Sequence, residues 1–202
     1  FERARGLQAV VFDKTGTLTE GRFGVTDIVS LGGRNEDELL RLAAGLESRS
    51  EHPIADGIVR EAEDRAIVLP APEEFRAIPG KGAEARVDGV SVKVVSPGYL
   101  KEKGLAFEDE RVSRVAAQGK TVVFVMVDDQ LEGAIALADI IREESREGLK
   151  RLRAMGIQTM MLTGDAKEVA SWVAEELALD DYFAEVLPHE KSETIREVKS
   201  RG

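Results

Sequence analysis

The fold is decided by one stretch of the chain, Ala9-Val10-Val11-Phe12-Asp13-Lys14-Thr15-Gly16-Thr17. Its first four residues are apolar and lead to a carboxylate, which predicts a buried strand that ends at Asp13. In open α/β sheets, ligands bind at the carboxyl ends of the strands. The turn that follows has Gly16 between two threonines, and its backbone N–H groups suit an anion. Asp13 is therefore a candidate nucleophile toward phosphorus, which would give an aspartyl phosphate.

The composition narrows the class of protein. The 202 residues are 43% hydrophobic and 33% charged, as in a globular chain of one large or two small domains. The net charge of −10, without a basic patch, argues against a nucleic-acid partner. The chain has no cysteine, so it has no disulfide partner and no thiolate metal site. Its apolar run at 122–127 is much shorter than the ~20 residues that a membrane-spanning helix needs.

The two ends of the chain alternate between strand and helix patterns. The predicted strands there are 9–12, 157–162 and 183–186, and the predicted helices are 143–155, 168–177 and 189–199. Gly156 ends the first of these helices, and Pro188 marks the start of the last one. Strands that alternate with helices in this way predict a parallel sheet.

The middle of the chain has a different pattern. The predicted helices there are 36–48, 54–66 and 109–118, and the predicted strands are 84–87, 90–95, 121–127 and 131–138. Asp88-Gly89 is a two-residue hairpin turn sequence. Hairpins combined with helices indicate an α+β module with an antiparallel sheet.

The predicted fold class is thus an α/β parallel-sheet domain interrupted by an inserted α+β domain. We assign residues 1–22 and 139–202 to the parallel-sheet domain and residues 23–138 to the insertion. The chain is expected to cross between the two at 21–24 and 138–142.

A second motif, Thr163-Gly164-Asp165, closes a predicted strand as Asp13 does. If both strands belong to one parallel sheet, their carboxyl ends lie at the same edge. The Thr163 hydroxyl and the N–H groups of Gly164 and Asp165 would then suit a phosphoryl oxygen. Taken alone, the triplet is an ordinary turn and cap sequence. Together with residues 13–17, it predicts a phosphate site.

Lys191 lies just past the third predicted strand, within Leu187-Pro188-His189-Glu190-Lys191. An ammonium at this place would neutralise phosphate charge during transfer and hold Asp13 ionised. A nucleophilic aspartate, a phosphate-binding threonine and then a lysine resemble the haloacid-dehalogenase-type phosphoryl-transfer core. Residues 13–17 themselves resemble the phosphorylation motif of P-type ATPases, which share that core and carry an inserted ATP-binding domain. The resemblance implies that 1–22 and 139–202 form a phosphorylation domain and that 23–138 form a nucleotide-binding domain. Asp139-Ile140-Ile141-Arg142 resembles the family's hinge motif.

Ser50-Glu51-His52-Pro53 indicates a subfamily. On the residues alone, it is a turn between two helices with Pro53 in the first helical turn. Together with Gly80-Lys81-Gly82, it resembles the nucleotide domain of heavy-metal-transporting (type IB) P-type ATPases. The resemblance implies that Glu51 and His52 lie near adenine. It also implies that Gly80 and Gly82 let the backbone approach the nucleotide, and that the ligands are ATP and Mg²⁺.

The chain departs from the family pattern in two motifs and lacks three others. The glycine motif ends at Ala83 where the family often has a third glycine, and Ser96-Pro97-Gly98-Tyr99 stands where many members have Gly-Asn. The second variant is similar to copper-exporting ATPases of the B type. The chain contains no Gly-Asp-Gly-x-Asn-Asp magnesium motif, no actuator Thr-Gly-Glu loop and no membrane Cys-Pro-x segment.

The resemblance therefore implies a piece of a larger pump. We expect a cytoplasmic soluble domain of an integral membrane protein, about a third of the whole. Its partners in the intact protein would be the transmembrane and actuator domains, and it would have reduced or no hydrolysis by itself.

The expected chemistry is transfer of the γ-phosphate of ATP to Asp13. The resemblance implies that Asp13 and the Thr15 carbonyl hold Mg²⁺ and that Thr163 and Lys191 stabilise the developing charge. Two alternatives remain open: a soluble haloacid-dehalogenase-type phosphatase with an inserted cap, and a nucleotide-binding module without catalysis. Such phosphatases carry a second aspartate, two residues after the nucleophile, as general acid. Thr15 occupies that place here and favours a long-lived phospho-enzyme.

Overall fold

The molecule consists of two compact units. The computed structural model describes residues 7–105 and 108–187, together with Glu190 and Arg196. One unit contains the described residues of Phe1–Gly21 and Asp139–Gly202, and the other is Arg22–Ala138. The chain therefore leaves the first unit once and returns to it. The functions that we assigned to the two parts remain predictions.

The secondary structure within the described residues is as follows. The strands are β1 (Ala9–Asp13), β2 (Thr19–Ser30), β3 (Pro72–Ile78), β4 (Gly82–Val87), β5 (Val90–Val95), β6 (Thr121–Val127), β7 (Gln130–Ile141), β8 (Gln158–Leu162) and β9 (Asp181–Phe183). The helices are α1 (Glu36–Glu47), α2 (Pro53–Asp64), α3 (Pro97–Glu102), α4 (Glu110–Ala117), α5 (Glu143–Ala154) and α6 (Lys167–Glu176). No helix in this part of the chain has the length and apolar content needed to cross a bilayer.

A three-stranded parallel sheet, in the order β1-β8-β9, forms the first unit. Asp13 pairs with Leu162, and Leu162 pairs with Phe183, so the three strands end at the same edge. The core beneath them joins β8 to α5 and α6, and its buried residues are Leu18, Leu149, Met161, Ala170, Val173 and Leu177. The parallel sheet is as predicted, and its last strand begins and ends earlier than the predicted 183–186. The helix predicted at 189–199 lies almost wholly outside the described residues.

A six-stranded sheet in the order β2-β7-β6-β5-β4-β3 forms the second unit. Its central strand β6 is buried on both faces, because Val123, Val125 and Val127 pack on the side of α1 and α2. The alternate residues Val122, Phe124 and Met126 pack on the side of α3 and α4. A strand covered on both sides is continuously apolar and does not alternate with polar residues. The predicted fold class, a parallel sheet with a separate antiparallel sheet, is confirmed.

Both tight hairpins of this sheet use left-handed backbone at two successive residues. Asp88 and Gly89 have φ of 49° and 79°, and Asp128 and Asp129 have φ of 47° and 60°. Positive φ at both central positions is typical of type I′ turns, whose twist matches that of the flanking strands. The hairpin predicted at Asp88-Gly89 is therefore confirmed.

Two strands of this sheet, β2 and β3, were not predicted. β2 contains Gly21 and Gly24, which hide its strand pattern, and β3 is interrupted by an irregularity at Glu74, where φ is 53°. The two units divide after Gly21 and after Ala138, inside the crossing segments predicted at 21–24 and 138–142, and the residues there continue β2 and β7. The two strands are hydrogen-bonded neighbours in the sheet.

Candidate functional site

The first candidate site lies at the carboxyl end of β1. Asp13 is exposed, and its pairing with Leu162 places it beside the residue before Thr163. The chain then turns sharply, with φ and ψ of −72° and 125° at Thr15 and 78° and −8° at Gly16. These angles define a type II turn, which requires a positive φ at its third residue. Gly16 is thus explained by the backbone conformation of the turn.

Contacts from the segment after β7 hold this turn in place. The Arg142 Nε donates to the Thr19 carbonyl at 3.1 Å. The Ser145 hydroxyl donates to the Thr17 carbonyl at 3.3 Å. Arg142, the last residue of the hinge-like motif, and Ser145 therefore brace the segment that follows the predicted nucleophile.

The second loop at this edge, Thr163-Gly164-Asp165, closes on itself. The Thr163 side chain is buried, and its hydroxyl donates to Asp165 Oδ2 at 2.6 Å. The Asp165 N–H donates back to Thr163 Oγ1 at 3.1 Å, and the Thr163 N–H donates to the Phe183 carbonyl at 2.9 Å. A hydroxyl has one proton to donate, so Thr163 must turn away from Asp165 before it can donate to an anion.

A buried lysine joins the two loops. Lys14 is 4% exposed, and its Nζ lies 2.9 Å from Asp165 Oδ2 and 3.3 Å from Asp139 Oδ2. Asp139 also accepts from the Thr19 hydroxyl at 2.6 Å and from the Gly21 N–H at 2.9 Å. Sequence reasoning missed this role for Lys14. The available signal was its place directly after the predicted nucleophile.

The end of β1 fits a magnesium ion that is also bound to phosphate. Mg²⁺ takes oxygen ligands, and it usually keeps several waters while using one or two carboxylates and substrate phosphates. Asp13 presents an exposed carboxylate, and Thr15 lies in the exposed turn with its carbonyl. Among the described residues, no three or more His, Cys, Asp or Glu are grouped so as to hold a metal ion. Lys191, the predicted cation of this site, lies outside the described residues.

The second candidate site lies in the turn before α2. The His52 Nδ1 accepts the Ile54 N–H at 3.2 Å, so His52 caps this helix, and Pro53 follows in the first turn. Because Nδ1 accepts, the proton of the neutral ring is on Nε2. Glu51 and His52 are both exposed. His52 therefore has a structural role as the cap of α2, and the turn also presents polar side chains to solvent.

A buried carboxyl group lies at the end of α1, just before this turn. Glu47 is 7% exposed. Burial raises its pKa to about 7, against the smaller opposing effect of a hydrogen bond from Ser50. The Ser50 hydroxyl oxygen accepts the His52 N–H at 3.3 Å, which connects the buried group to the exposed turn. Glu47 was not predicted, because a single glutamate on an amphipathic helix carries no sequence signal.

The two predicted glycines lie in the turn between β3 and β4. Gly80 has φ of 68°, and Gly82, the first residue of β4, has φ of 137°. No hydrogen bond or ion pair within the described part of the chain joins this turn to Glu51 or His52. The four predicted nucleotide residues thus belong to one unit, in two separate turns without a direct polar contact.

Alanine substitutions at Gly80 and Gly82 are expected to differ in their effect on stability. An added Cβ at residue 82 would lie 2.0 Å from the Val94 carbonyl oxygen, whereas one at residue 80 meets no described atom within 4 Å. Gly80→Ala should cost about 1 kcal/mol through its left-handed φ alone. Gly82→Ala should cost about 2 kcal/mol, because the backbone of β5 must move. Urea unfolding of both variants measures the difference, and equal losses would contradict the close approach of β4 to β5.

A cavity of about 440 Å³ lies along β2, the edge strand of the antiparallel sheet. None of the predicted nucleotide residues lines it. Its charged lining residues are Asp27, Glu36, Glu61, Arg65, Arg111 and Arg114. Equal numbers of acidic and basic groups leave it without a net charge that would select an anion or a cation.

The arrangement at the end of β1 defines a class of protein. An aspartate ends the first strand of a parallel sheet, a tight turn follows it, and a threonine loop ends the neighbouring strand. The chain belongs to the haloacid dehalogenase-like hydrolases, whose family model matches residues 7–201.

Within that family, the chain is similar to metal-transporting ATPases. It is 63% identical over 201 residues to the copper-exporting P-type ATPase B of Archaeoglobus fulgidus, with 100% of this chain and 29% of that protein covered. It is 39% identical over 204 residues to the probable copper-exporting P-type ATPase V of Mycobacterium tuberculosis, with 100% of this chain and 26% of that protein covered. The chain thus spans between a quarter and a third of the length of these relatives.

Solved structures agree with the sequence relatives. A zinc-transporting PIB-type ATPase in its E2.Pi state aligns with a TM-score of 0.82 at 36% identity, over 97% of this chain and 32% of that chain. The catalytic domain of the CPx-ATPase CopB-B aligns with a TM-score of 0.59 at 23% identity, over 100% of this chain and 70% of that chain, and supports the fold alone. The resemblance to heavy-metal P-type ATPases that we inferred from the motifs is confirmed.

Proposed function

We propose that this chain is the ATP-binding and phosphorylation core of a P-type ATPase that exports copper across a membrane. The observation that carries the proposal is the exposed Asp13 at the carboxyl end of β1, beside the loop that begins at Thr163. The 63% identity to a protein named as a copper-exporting P-type ATPase supports copper as the ion. In the intact protein, the partners are the transmembrane and actuator domains.

The proposed reaction is the transfer of one phosphoryl group to Asp13. A carboxylate oxygen of Asp13 attacks the γ-phosphorus of ATP. The bond from that phosphorus to the β–γ bridging oxygen breaks, and ADP leaves with the electron pair on this oxygen.

The loops around Asp13 orient the group that is transferred. The type II turn at Thr15 and Gly16 bends the chain away directly after the nucleophile and leaves the carboxylate exposed. The Thr163 hydroxyl, once it turns from Asp165, donates to a phosphoryl oxygen. Asp13 and the Thr15 carbonyl are the groups that would hold Mg²⁺, which when bound neutralises phosphate charge.

The lifetime of the phospho-enzyme follows from the residue at position 15. A haloacid-dehalogenase-type phosphatase uses an acidic group two residues after its nucleophile to protonate and deprotonate the reacting oxygens. Thr15 has no titratable group, so hydrolysis of the aspartyl phosphate lacks this assistance. A stable phospho-enzyme suits a pump, because the phosphorylated state must last long enough to drive a change elsewhere in the protein.

The inserted unit is the proposed ATP-binding part. Its exposed Glu51 and His52 lie in a turn that the cap of α2 stabilises. A fixed turn of this kind suits a binding site for a nucleobase. Gly82 lets β4 approach β5 closely, and Gly80 occupies the adjacent turn. ATP is thus proposed to bind with its base near Glu51 and His52 and to deliver its γ-phosphate to Asp13.

ATP titration of His52 variants tests the nucleotide site. His52→Ala should weaken ATP binding about tenfold, which is about 1.4 kcal/mol. It should also lower the free energy of unfolding by about 1 kcal/mol, because it removes the cap of α2. His52→Ser keeps an oxygen acceptor for the Ile54 N–H and loses only the imidazole. It should bind ATP as weakly as His52→Ala and unfold like the wild type.

Calorimetry with ATP and urea unfolding measure the two effects separately. Weakened binding in both variants supports the nucleotide site. Wild-type affinity in His52→Ser would reduce His52 to a helix cap, and it would raise the phosphatase with an inserted cap as the alternative function.

A further inference from the structure

We propose that Lys14 is a positioning residue for phosphoryl transfer to Asp13. This inference rests on the proposed function, and it adds a role for the buried ammonium group of Lys14. Lys14 connects Asp165, in the loop after β8, to Asp139, where the chain returns to the first unit. Through these two ion pairs, it holds the Thr163 loop in place while the Thr163 hydroxyl changes its hydrogen-bond partner.

The geometry favours Asp165 as the main partner. Asp165 Oδ2 lies 2.9 Å from the Lys14 Nζ and 2.6 Å from the Thr163 Oγ1, so one carboxylate oxygen serves both groups. When the hydroxyl turns to a phosphoryl oxygen, Asp165 Oδ2 loses its contact with Thr163 Oγ1. The ion pair with Lys14 then remains, and it keeps the charge of Asp165 compensated.

The ion pair between Lys14 and Asp165 matters because several negative charges lie at this edge of the sheet. Asp13, Asp139 and Asp165 are three carboxylates near the ends of β1, β7 and β8, and Lys14 is the buried cation that contacts two of them. A phosphoryl group brings further negative charge to the same edge. Without Lys14, the Asp165 carboxylate would lose this buried positive charge, and its repulsion of an incoming phosphate would increase.

The Asp139 contact anchors the lysine itself. Asp139 accepts from the Thr19 hydroxyl and from the Gly21 N–H in addition to Lys14. Three donors fix the carboxylate at the junction of β2 and β7. Lys14 therefore links the junction of β2 and β7 to Asp165, the carboxylate that accepts the Thr163 hydroxyl.

The experiment separates positioning from folding by a double-mutant cycle. In the full-length ATPase that contains this chain, Lys14→Met, Asp165→Asn and the double variant are compared with Lys14→Arg. The two readouts are the rate of phospho-enzyme formation from saturating [γ-³²P]ATP and the affinity for ATP. Far-ultraviolet circular dichroism and urea unfolding report whether each variant folds.

The expected result is a loss of rate without a loss of affinity. Lys14→Met should slow phosphorylation at least tenfold, while ATP affinity changes less than twofold. Lys14→Arg should recover most of the rate, because a guanidinium can pair with both carboxylates. The double variant should be no slower than Asp165→Asn alone, because the lysine acts through that carboxylate.

Two outcomes overturn the inference, and a third affects the proposed function. A wild-type phosphorylation rate in folded Lys14→Met would remove Lys14 from the reaction. A double variant slowed by the product of the single effects would show that Lys14 does not act through Asp165. If Lys14→Met does not fold, the folded double variant and Lys14→Arg still decide between these results. Absence of phospho-enzyme in the wild type would instead refute the proposed function.

Discussion

Asp13→Asn is expected to lower phospho-enzyme formation at least about a thousandfold, below the limit of detection. The amide of asparagine is nearly isosteric with the carboxylate, but it is a poor nucleophile toward phosphorus. ATP binding should persist or tighten, since the substitution removes a negative charge near the γ-phosphate. The measurement is acid-stable incorporation of ³²P from [γ-³²P]ATP, with calorimetric titration of ATP on the same samples.

A matched control keeps this result specific. Asp64 is an exposed aspartate at the opposite end of α2 from His52, and Asp64→Asn makes the same chemical change in the inserted unit. It should phosphorylate at the wild-type rate. Acid-stable phosphorylation retained in Asp13→Asn would refute the assignment of the nucleophile and, with it, the proposed reaction.

Glu47→Gln is expected to remove a large part of the pH dependence of stability of the inserted unit. Burial raises the pKa of Glu47 from 4.5 to about 7. The unfolded chain therefore releases this proton first as the pH rises, and the folded state resists ionisation. The contribution of the protonated Glu47 to the free energy of unfolding is fully present below pH 4.5, and it is lost as the pH rises to about 7. Above that, the cost of the buried charge is constant at about 3 kcal/mol.

Unfolding in urea at pH 5 and pH 8 measures this effect. Between the two pH values, the wild type should lose about 2 to 3 kcal/mol through Glu47, and Glu47→Gln should lose none of that amount. Glu51→Gln is the control, because it makes the same change at an exposed residue in the neighbouring turn. A variant Glu47→Gln with the wild-type pH dependence would show that the carboxyl group ionises in the folded state without penalty.

The sequence predicted that Asp13 and Thr163 lie at one edge of the parallel sheet, because the evidence for this placement is local. A strand pattern that ends at Asp13 and another that ends before Thr163 are each visible within a few residues. Their meeting follows from the rule that parallel strands end at the same edge, and the register of Asp13 with Leu162 agrees. The hairpin at Asp88-Gly89 was predictable for the same reason, since the turn depends on two adjacent residues.

Features that depend on distant contacts were not predictable. The partners of Lys14 are far along the chain, and an aspartate in a loop looks the same whether or not it receives a buried lysine. The burial of Glu47 depends on how α1 packs, which no pattern within the helix determines. β2 was missed because glycines at 21 and 24 and charged residues between apolar ones conceal a strand that its neighbour β7 stabilises.

The hydrogen bond from the Gly21 N–H to Asp139 Oδ1 bears on how such a protein can arise and be rebuilt. It joins the last residue before the insertion to the first residue after it, so the two ends of the insertion are held together by the host unit itself. The entropic cost of this long insertion to the first unit is therefore small, because residues 22–138 fold with their two ends adjacent. We therefore expect that residues 22–138 can be replaced by another domain with adjacent termini while β1 and β8 keep their register.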